Sequence, residues 1–110
     1  MVTVSVVVPA RNEEEFIGPC LESILAQKTK PHEIIVVNNG SKDRTAEIAR
    51  SYPGVKVIDQ PIPGLHIARQ TGLLAATGEV VANTDADCIV QPAWIATIAR
   101  AFRDPEVVEV

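Results

Sequence analysis

Residues 33–45 read EIIVVNNGSKDRT. The run Ile34 to Val37 is unbroken and apolar, and it stops at Asn38-Asn39-Gly40-Ser41. A strand with one wet face alternates apolar and polar residues, whereas a continuous Val/Ile run suits a strand buried on both faces of a parallel sheet. Gly40 and Ser41 suit a turn, and Asp43 suits an N-cap for a helix over roughly 44–52 that Pro53-Gly54 ends.

The same pattern repeats on both sides. VSVVV, with its core at 5–8, is stopped by Pro9; VKVI spans 55–58 and EVVAN spans 79–83. Between the first two runs, Phe16, Ile17, Cys20, Leu21, Ile24 and Leu25 recur at helical spacing. Pro19 predicts a loose first turn over 13–16 and a main helix starting near Pro19 itself. A third helix is expected over about 65–77, where Ala68, Gly72 and Ala76 form a small-residue ridge for close packing on the sheet. Pro92 opens a fourth, carrying Trp94, Ile95, Ile98 and Phe102. Strands alternating with helices predict an α/β fold: a mostly parallel sheet with helices on both faces.

The chain has 110 residues, enough for one small domain and a single core. Its hydrophobic fraction of 46% and charged fraction of 22% are ordinary for a globular protein. A net charge of -4 argues against broad adhesion to nucleic acid or anionic membrane, so an anionic ligand needs a local arginine, a helix N-terminus or a bound cation. No apolar stretch approaches the ~20 residues of a membrane span, and Met1 leads almost directly into TVSVVVP, which reads as strand rather than signal peptide. Cys20 and Cys88 lack metal-ligand spacing and read as free, mostly buried thiols of a cytoplasmic protein. At the other end, DPEVVEV reads as a turn and a strand interrupted as it begins.

Ligands of open α/β sheets bind at the carboxyl ends of the strands. Here those ends are Pro9 to Asn12, Asn38 to Ser41 and Asn83 to Asp87, all polar or small. Asp85 and Asp87 are two apart, so on extended backbone both carboxylates face the same way. Oxygen-only donors of this kind suit Mg2+ or Mn2+; an exposed acidic turn has the same sequence. Asn38 and Asn39 can donate and accept hydrogen bonds to a base. His66 and Arg69, near the start of the third helix, can reach an anion at its N-terminus. His32 falls at the opposite edge and reads as structural. Neither a P-loop nor a G-x-G-x-x-G turn follows the first strand, and no Ser/His/Asp or Cys/His nucleophile pattern is present.

VVVPARNEEEFIGPCLESILAQ, EIIVVNNGSKDRTAEIA and PGLHIARQTGLLAATGEVVANTDADC, in that order, closely resemble the nucleotide-sugar-binding half of the family 2, GT-A-type glycosyltransferases, from about Val4 onward. The resemblance implies a Rossmann-like GT-A half and a metal-dependent transfer, with inversion, of a sugar from a nucleoside diphosphate sugar to an acceptor hydroxyl. It implies that Pro9, Ala10 and Arg11 border the nucleotide, with Glu13 at the family's acidic position. Asn38 and Asn39 stand where many members carry an aspartate pair, and Arg69 matches an arginine near the nucleotide. Asp85 resembles the residue near ribose and metal, and Asp87 the direct metal ligand. Asn39 in place of aspartate keeps an acceptor oxygen and removes a charge, and Gln70 replaces the family's usual asparagine.

Family members continue for another hundred residues or more, and that half supplies the acceptor pocket and the catalytic base. Asp104, Glu106 and Glu109 match no motif for the base, so residues 1–110 are expected to be a truncated donor-binding domain. The alternative is a non-catalytic nucleotide-sugar-binding module, or a subunit needing a partner chain. A bared flank at Val107 to Val110 predicts homodimerisation through an edge strand. The expected location is cytoplasmic, or the cytoplasmic membrane face for a longer parent chain. A receiver-type phosphoacceptor is the weaker reading: the first strand ends PARNEEE and Asp59 follows the third, but no lysine follows the later strand.

Overall fold

The structure is a computed structural model that describes residues 2–103. Its four strands are β1 (Val4–Ala10), β2 (Glu33–Asn38), β3 (Val55–Asp59) and β4 (Val80–Asn83). All pairings are parallel, in the order β3-β2-β1-β4, with Val6 opposite both Ile34 and Ala82. The unbroken apolar runs match the two central strands: all of β1 is buried, as is β2 up to Val37. The expectation of burial on both faces is corrected for β3 and β4, where Lys56, Asp59 and Asn83 are exposed. Both are terminal strands among the described residues, with a neighbour on one side only.

The helices are α1 (Ile17–Leu25), α2 (Thr45–Arg50), α3 (Leu65–Ala75) and α4 (Trp94–Arg103). Alternation along β1 splits the core in two. Val4, Val6 and Val8 face Ile17, Leu21 and Ile24 of α1, Ala49 of α2 and Ile95 and Ile98 of α4. Val7 faces the other way, joining Ile35, Val37 and Ala68 of α3. Crossover handedness explains the split. Right-handed steps from β1 to β2 to β3 place α1 and α2 on one face, and the return from β3 to β4 runs in the opposite direction and places α3 on the other. Each fully buried valine or leucine contributes roughly 1.5–3 kcal/mol.

The small-residue ridge of α3 is structural, as expected. A Cβ on Gly72 would lie 2.2 Å from Val7 Cγ1, so only glycine permits this approach. The main helix α1 begins at Ile17, two residues before the expected start. Pro19 is tolerated because the first helical N–H groups have no intrahelical acceptor, and the turn before it closes with Phe16 and Ile17 N–H on the Glu13 carbonyl (3.0 and 2.8 Å). Helix α2 is shorter than expected at both ends, though the Asp43 carboxylate does accept from Thr45 N–H at 3.0 Å.

At the amino-terminal end of the sheet, Glu33 is only 8% exposed. It accepts from Ser5 Oγ (2.6 Å), Thr77 N (2.6 Å), Thr77 Oγ1 (3.0 Å) and Lys56 Nζ (2.8 Å). Ser5 Oγ accepts in turn from Gly78 N (2.8 Å), pinning the turn between α3 and β4. His32 bonds Thr77 Oγ1 at 3.0 Å at this same end, in keeping with a structural role. Among the described residues no helix is long and apolar enough to cross a membrane. Asp104, Glu106, Glu109 and the expected strand at Val107 to Val110 lie outside the described residues.

Candidate functional site

The chain steps outward from β1 through β2 to β3, then returns to pair β4 on the other side of β1. The connections leaving β1 and β3 therefore lie on opposite faces, α1 on one and α3 on the other, opening a crevice at the strand ends beside β1. A cleft of about 350 Å³ lies there, lined by Pro9, Ala10, Arg11 and Glu13 after β1, Asn39 after β2, Gly64, Leu65 and Ala68 at the start of α3, and Asp85, Ala86 and Asp87 after β4. Segments remote in sequence meet because parallel strands put all their carboxyl ends on one rim.

The loop after β1 is held from below by the GSKDRT segment. Asn12 adopts a left-handed conformation (φ 54°), tolerated by asparagine. Asn12 N–H donates to Ser41 Oγ (3.0 Å), Glu13 N–H to Thr45 Oγ1 (2.8 Å) and Glu14 N–H to an Asp43 carboxylate oxygen (3.2 Å). Asn12 Oδ1 accepts from Lys42 N–H at 2.8 Å. The polar residues after β2 thus brace the residues after β1.

Of the sequence-predicted residues, the fold brings Pro9, Ala10, Arg11, Glu13, Asn39, Asp85 and Asp87 to this cleft. It does not bring Asn38 there. Neighbouring strand residues point to opposite faces, and Asn38 Nδ2 donates to Asp59 Oδ1 (2.9 Å) while its Oδ1 accepts from Ser41 N–H (3.2 Å). Arg69 lies in an adjoining groove with His66, Gln70, Leu73, Val81 and Asn83, and its Nη2 stands 3.8 Å from Asp85 Oδ1. With both side chains about half exposed, that ion pair is weak. Gly64, Leu65 and Ala68 were not singled out for the cleft by sequence. The available signal was Pro63-Gly64 directly before a helix, and Gly64 indeed has φ 140°.

The cleft is acidic on one side. Burial pushes the Glu13 carboxyl up, and the charges of Asp87, Asp43 and Asp85 push it further. Ligand atoms of Asp85, Asp87 and Cys88, all exposed, lie within 4.8 Å of one another. Two carboxylates on one exposed turn fit the hard, oxygen-rich and water-completed shell of Mg2+ or Mn2+. The residues present can therefore hold such an ion. The expectation of two mostly buried cysteines is corrected. Cys20 is on the buried face of α1, with burial first and then the nearby Cys88, Asp87 and Asp85 pushing its thiol up to about 12, but Cys88 is exposed on the rim, because its strand has already ended at Asn83.

Comparison with known proteins gives one consistent pattern. The family model for glycosyl transferase family 2 matches residues 5–110. The uncharacterized glycosyltransferase EpsJ of Bacillus subtilis (strain 168) is 43% identical over 94 residues, covering 82% of this chain and 27% of EpsJ. The crystal structure of Staphylococcus aureus TarS 1-349 in complex with UDP superposes with a TM-score of 0.84 at 28% identity, over 92% of this chain and 32% of that one. Mannosyltransferase PcManGT from Pyrobaculum calidifontis, in complex with GDP-Man and Mn2+, gives 0.80 at 31% identity, over 94% of this chain and 33% of that one. The chain spans about a third or less of the length of each of these three proteins.

Proposed function

Since the chain belongs to glycosyl transferase family 2, with a family match running from residue 5 to 110, we propose that its cleft binds a nucleoside diphosphate sugar and serves transfer of the sugar to an acceptor hydroxyl. One observation carries the reading. Asp85 and Asp87 stand at the β1/β4 crevice of a parallel sheet, facing the loop after β1 and the start of α3. That is where an open α/β sheet takes its ligand. The UDP and the GDP-Man held by the two superposed proteins support a nucleotide ligand and leave the base open.

In this reading Pro9, Ala10, Arg11, Glu13 and Asn39 contact the nucleotide, and Asn38 contributes by setting the turn at Ser41. Asp85 and Asp87 hold Mg2+ or Mn2+, with Mn2+ in PcManGT as support. A divalent cation bound there supplies positive charge to the departing diphosphate. Arg69, beside Asp85, adds charge toward the phosphates. The transfer is inverting, with a base in the acceptor pocket deprotonating the acceptor hydroxyl. Among the described residues β4 is a terminal strand, and Leu73 and Val81 in the groove on one face with Trp94, Ile98 and Phe102 in the groove on the other support self-association through an edge strand.

Calorimetric titration of UDP and GDP, with and without Mn2+, tests the reading. Mn2+-dependent binding in the chain and its loss in Asp87→Ala are expected; a folded chain that binds neither nucleotide in Mn2+ rules it out. A monomeric mass across a concentration series in sedimentation rules out the edge-strand dimer.

A further inference from the structure

Asn39 is 5% exposed, and its carboxamide is spent almost entirely on one loop. Its Nδ2 donates to the carbonyls of Gln60 and Ile62, both at 2.8 Å, and its Oδ1 accepts from Gly64 N–H at 3.1 Å. Two carbonyl acceptors on one nitrogen fix which end of the amide faces the loop. The main chain adds Asn39 N–H to the Ala10 carbonyl and Gln60 N–H to the Asn38 carbonyl, both at 2.9 Å. Within the loop, Ile62 N–H donates to Gln60 Oε1 (3.1 Å) and Gln60 Nε2 to Thr71 Oγ1 (3.0 Å). Residues 60–64 run from β3 into α3, and Gly64 with Leu65 forms one wall of the cleft.

We propose that Asn39 is a positioning residue that latches the 60–64 wall of the cleft, and that it has to be a carboxamide to do so. A carboxylate at this position has no N–H for Gln60 and Ile62, and it would set its charge against two carbonyl oxygens. Both amide hydrogens are committed to the wall, so the only capacity left toward a ligand is one lone pair of Oδ1. Residue 39 therefore offers a nucleotide base a single acceptor, and the geometry of that acceptor depends on the wall it holds. The binding part rests on the donor-site reading above; the latch itself does not.

The test compares the chain with Asn39→Asp by hydrogen exchange without nucleotide, and by UDP and GDP titration in Mn2+. At pH 8 the variant is expected to exchange at least tenfold faster in peptides covering 60–68, with β1 and β2 unchanged, and to bind nucleotide at least tenfold more weakly. Burial against two carbonyl oxygens disfavours the charged form and raises the pKa of the introduced carboxyl, so lowering the pH toward 5 shifts it toward the protonated form, restores one donor and is expected to narrow both differences. The charged groups around this position are Arg11 and Glu13 after β1, Asp59 at the end of β3, Asp85 and Asp87 after β4, and His66 and Arg69 on α3. They are shared by both chains, so the difference between chains reports residue 39. Asn39→Ser, which donates at most once and brings no charge, is measured alongside as the variant expected to fold in any case, with the same local loss. Unchanged exchange in 60–68, or equal loosening of the whole sheet, overturns the latch. If neither chain binds nucleotide, the donor reading fails while the exchange result still decides the latch.

Discussion

Glu33→Gln removes the charge of a carboxylate that accepts four hydrogen bonds while keeping its shape. Burial alone would raise the Glu33 pKa, but hydrogen bonds from Lys56, Ser5, the Thr77 amide and the Thr77 hydroxyl outweigh it and hold the group at about 2, against an ordinary 4.5. At about 1.4 kcal/mol per pKa unit, that gap amounts to roughly 3 kcal/mol of stability from the ionised form. Lys56 is 60% exposed, so its share is screened by solvent and the figure is an upper bound. The sign follows from linkage. The folded pKa is depressed, so the contribution is complete above about pH 4.5 and is lost as pH falls through about 2. Urea unfolding of both chains, read by circular dichroism from pH 7 to pH 3, is the assay. The variant is expected to be less stable by about 2–3 kcal/mol at pH 7, and the difference is expected to shrink steadily below pH 4.5. Other carboxylates titrate in both chains and cancel in the difference. A difference that stays constant from pH 7 to pH 3, or one near zero at pH 7, would refute the reasoning.

Three further outcomes follow from named contacts. Gly72→Ala sets a Cβ 2.2 Å from Val7 Cγ1; overpacking is expected to cost about 1–3 kcal/mol against a helix-propensity gain of about 1, so its urea midpoint falls rather than rises. Gln27 is buried, donating to the Ser23 (3.2 Å) and Gln91 (2.6 Å) carbonyls and accepting from Ile95 N–H (3.0 Å); in Gln27→Leu each buried group left unpaired is expected to cost about 1–3 kcal/mol, read as a lower thermal midpoint. Folded protein is expected to react rapidly with a disulfide reagent at the exposed Cys88 and to release the buried Cys20, whose thiol is pushed up to about 12, only in denaturant; mass spectrometry of the two cysteine peptides before and after unfolding reads both.

The sequence alone pointed to the parallel α/β architecture, because unbroken Val/Ile runs such as Ile34 to Val37, alternating with helical stretches, suit central strands buried on two faces. It also determined the ridge at Ala68 and Gly72, since spacing by four fixes one helical face, and it marked Asp85-Ala86-Asp87 as a rim, since a polar turn after a buried strand must emerge at its end. The tertiary structure alone decided the partition of Asn38 and Asn39. Two adjacent amides look equivalent in sequence, but the pleat sends one toward Asp59 and the other into the cleft wall, where the Gln60 and Ile62 carbonyls claim it. It alone showed that Ser41, Asp43 and Thr45 brace the loop after β1, and that Gly64 and Leu65 complete the cleft. These are contacts between segments some 20 to 30 residues apart, set by strand order and crossover handedness, and no local pattern of residues encodes the distance between two loops.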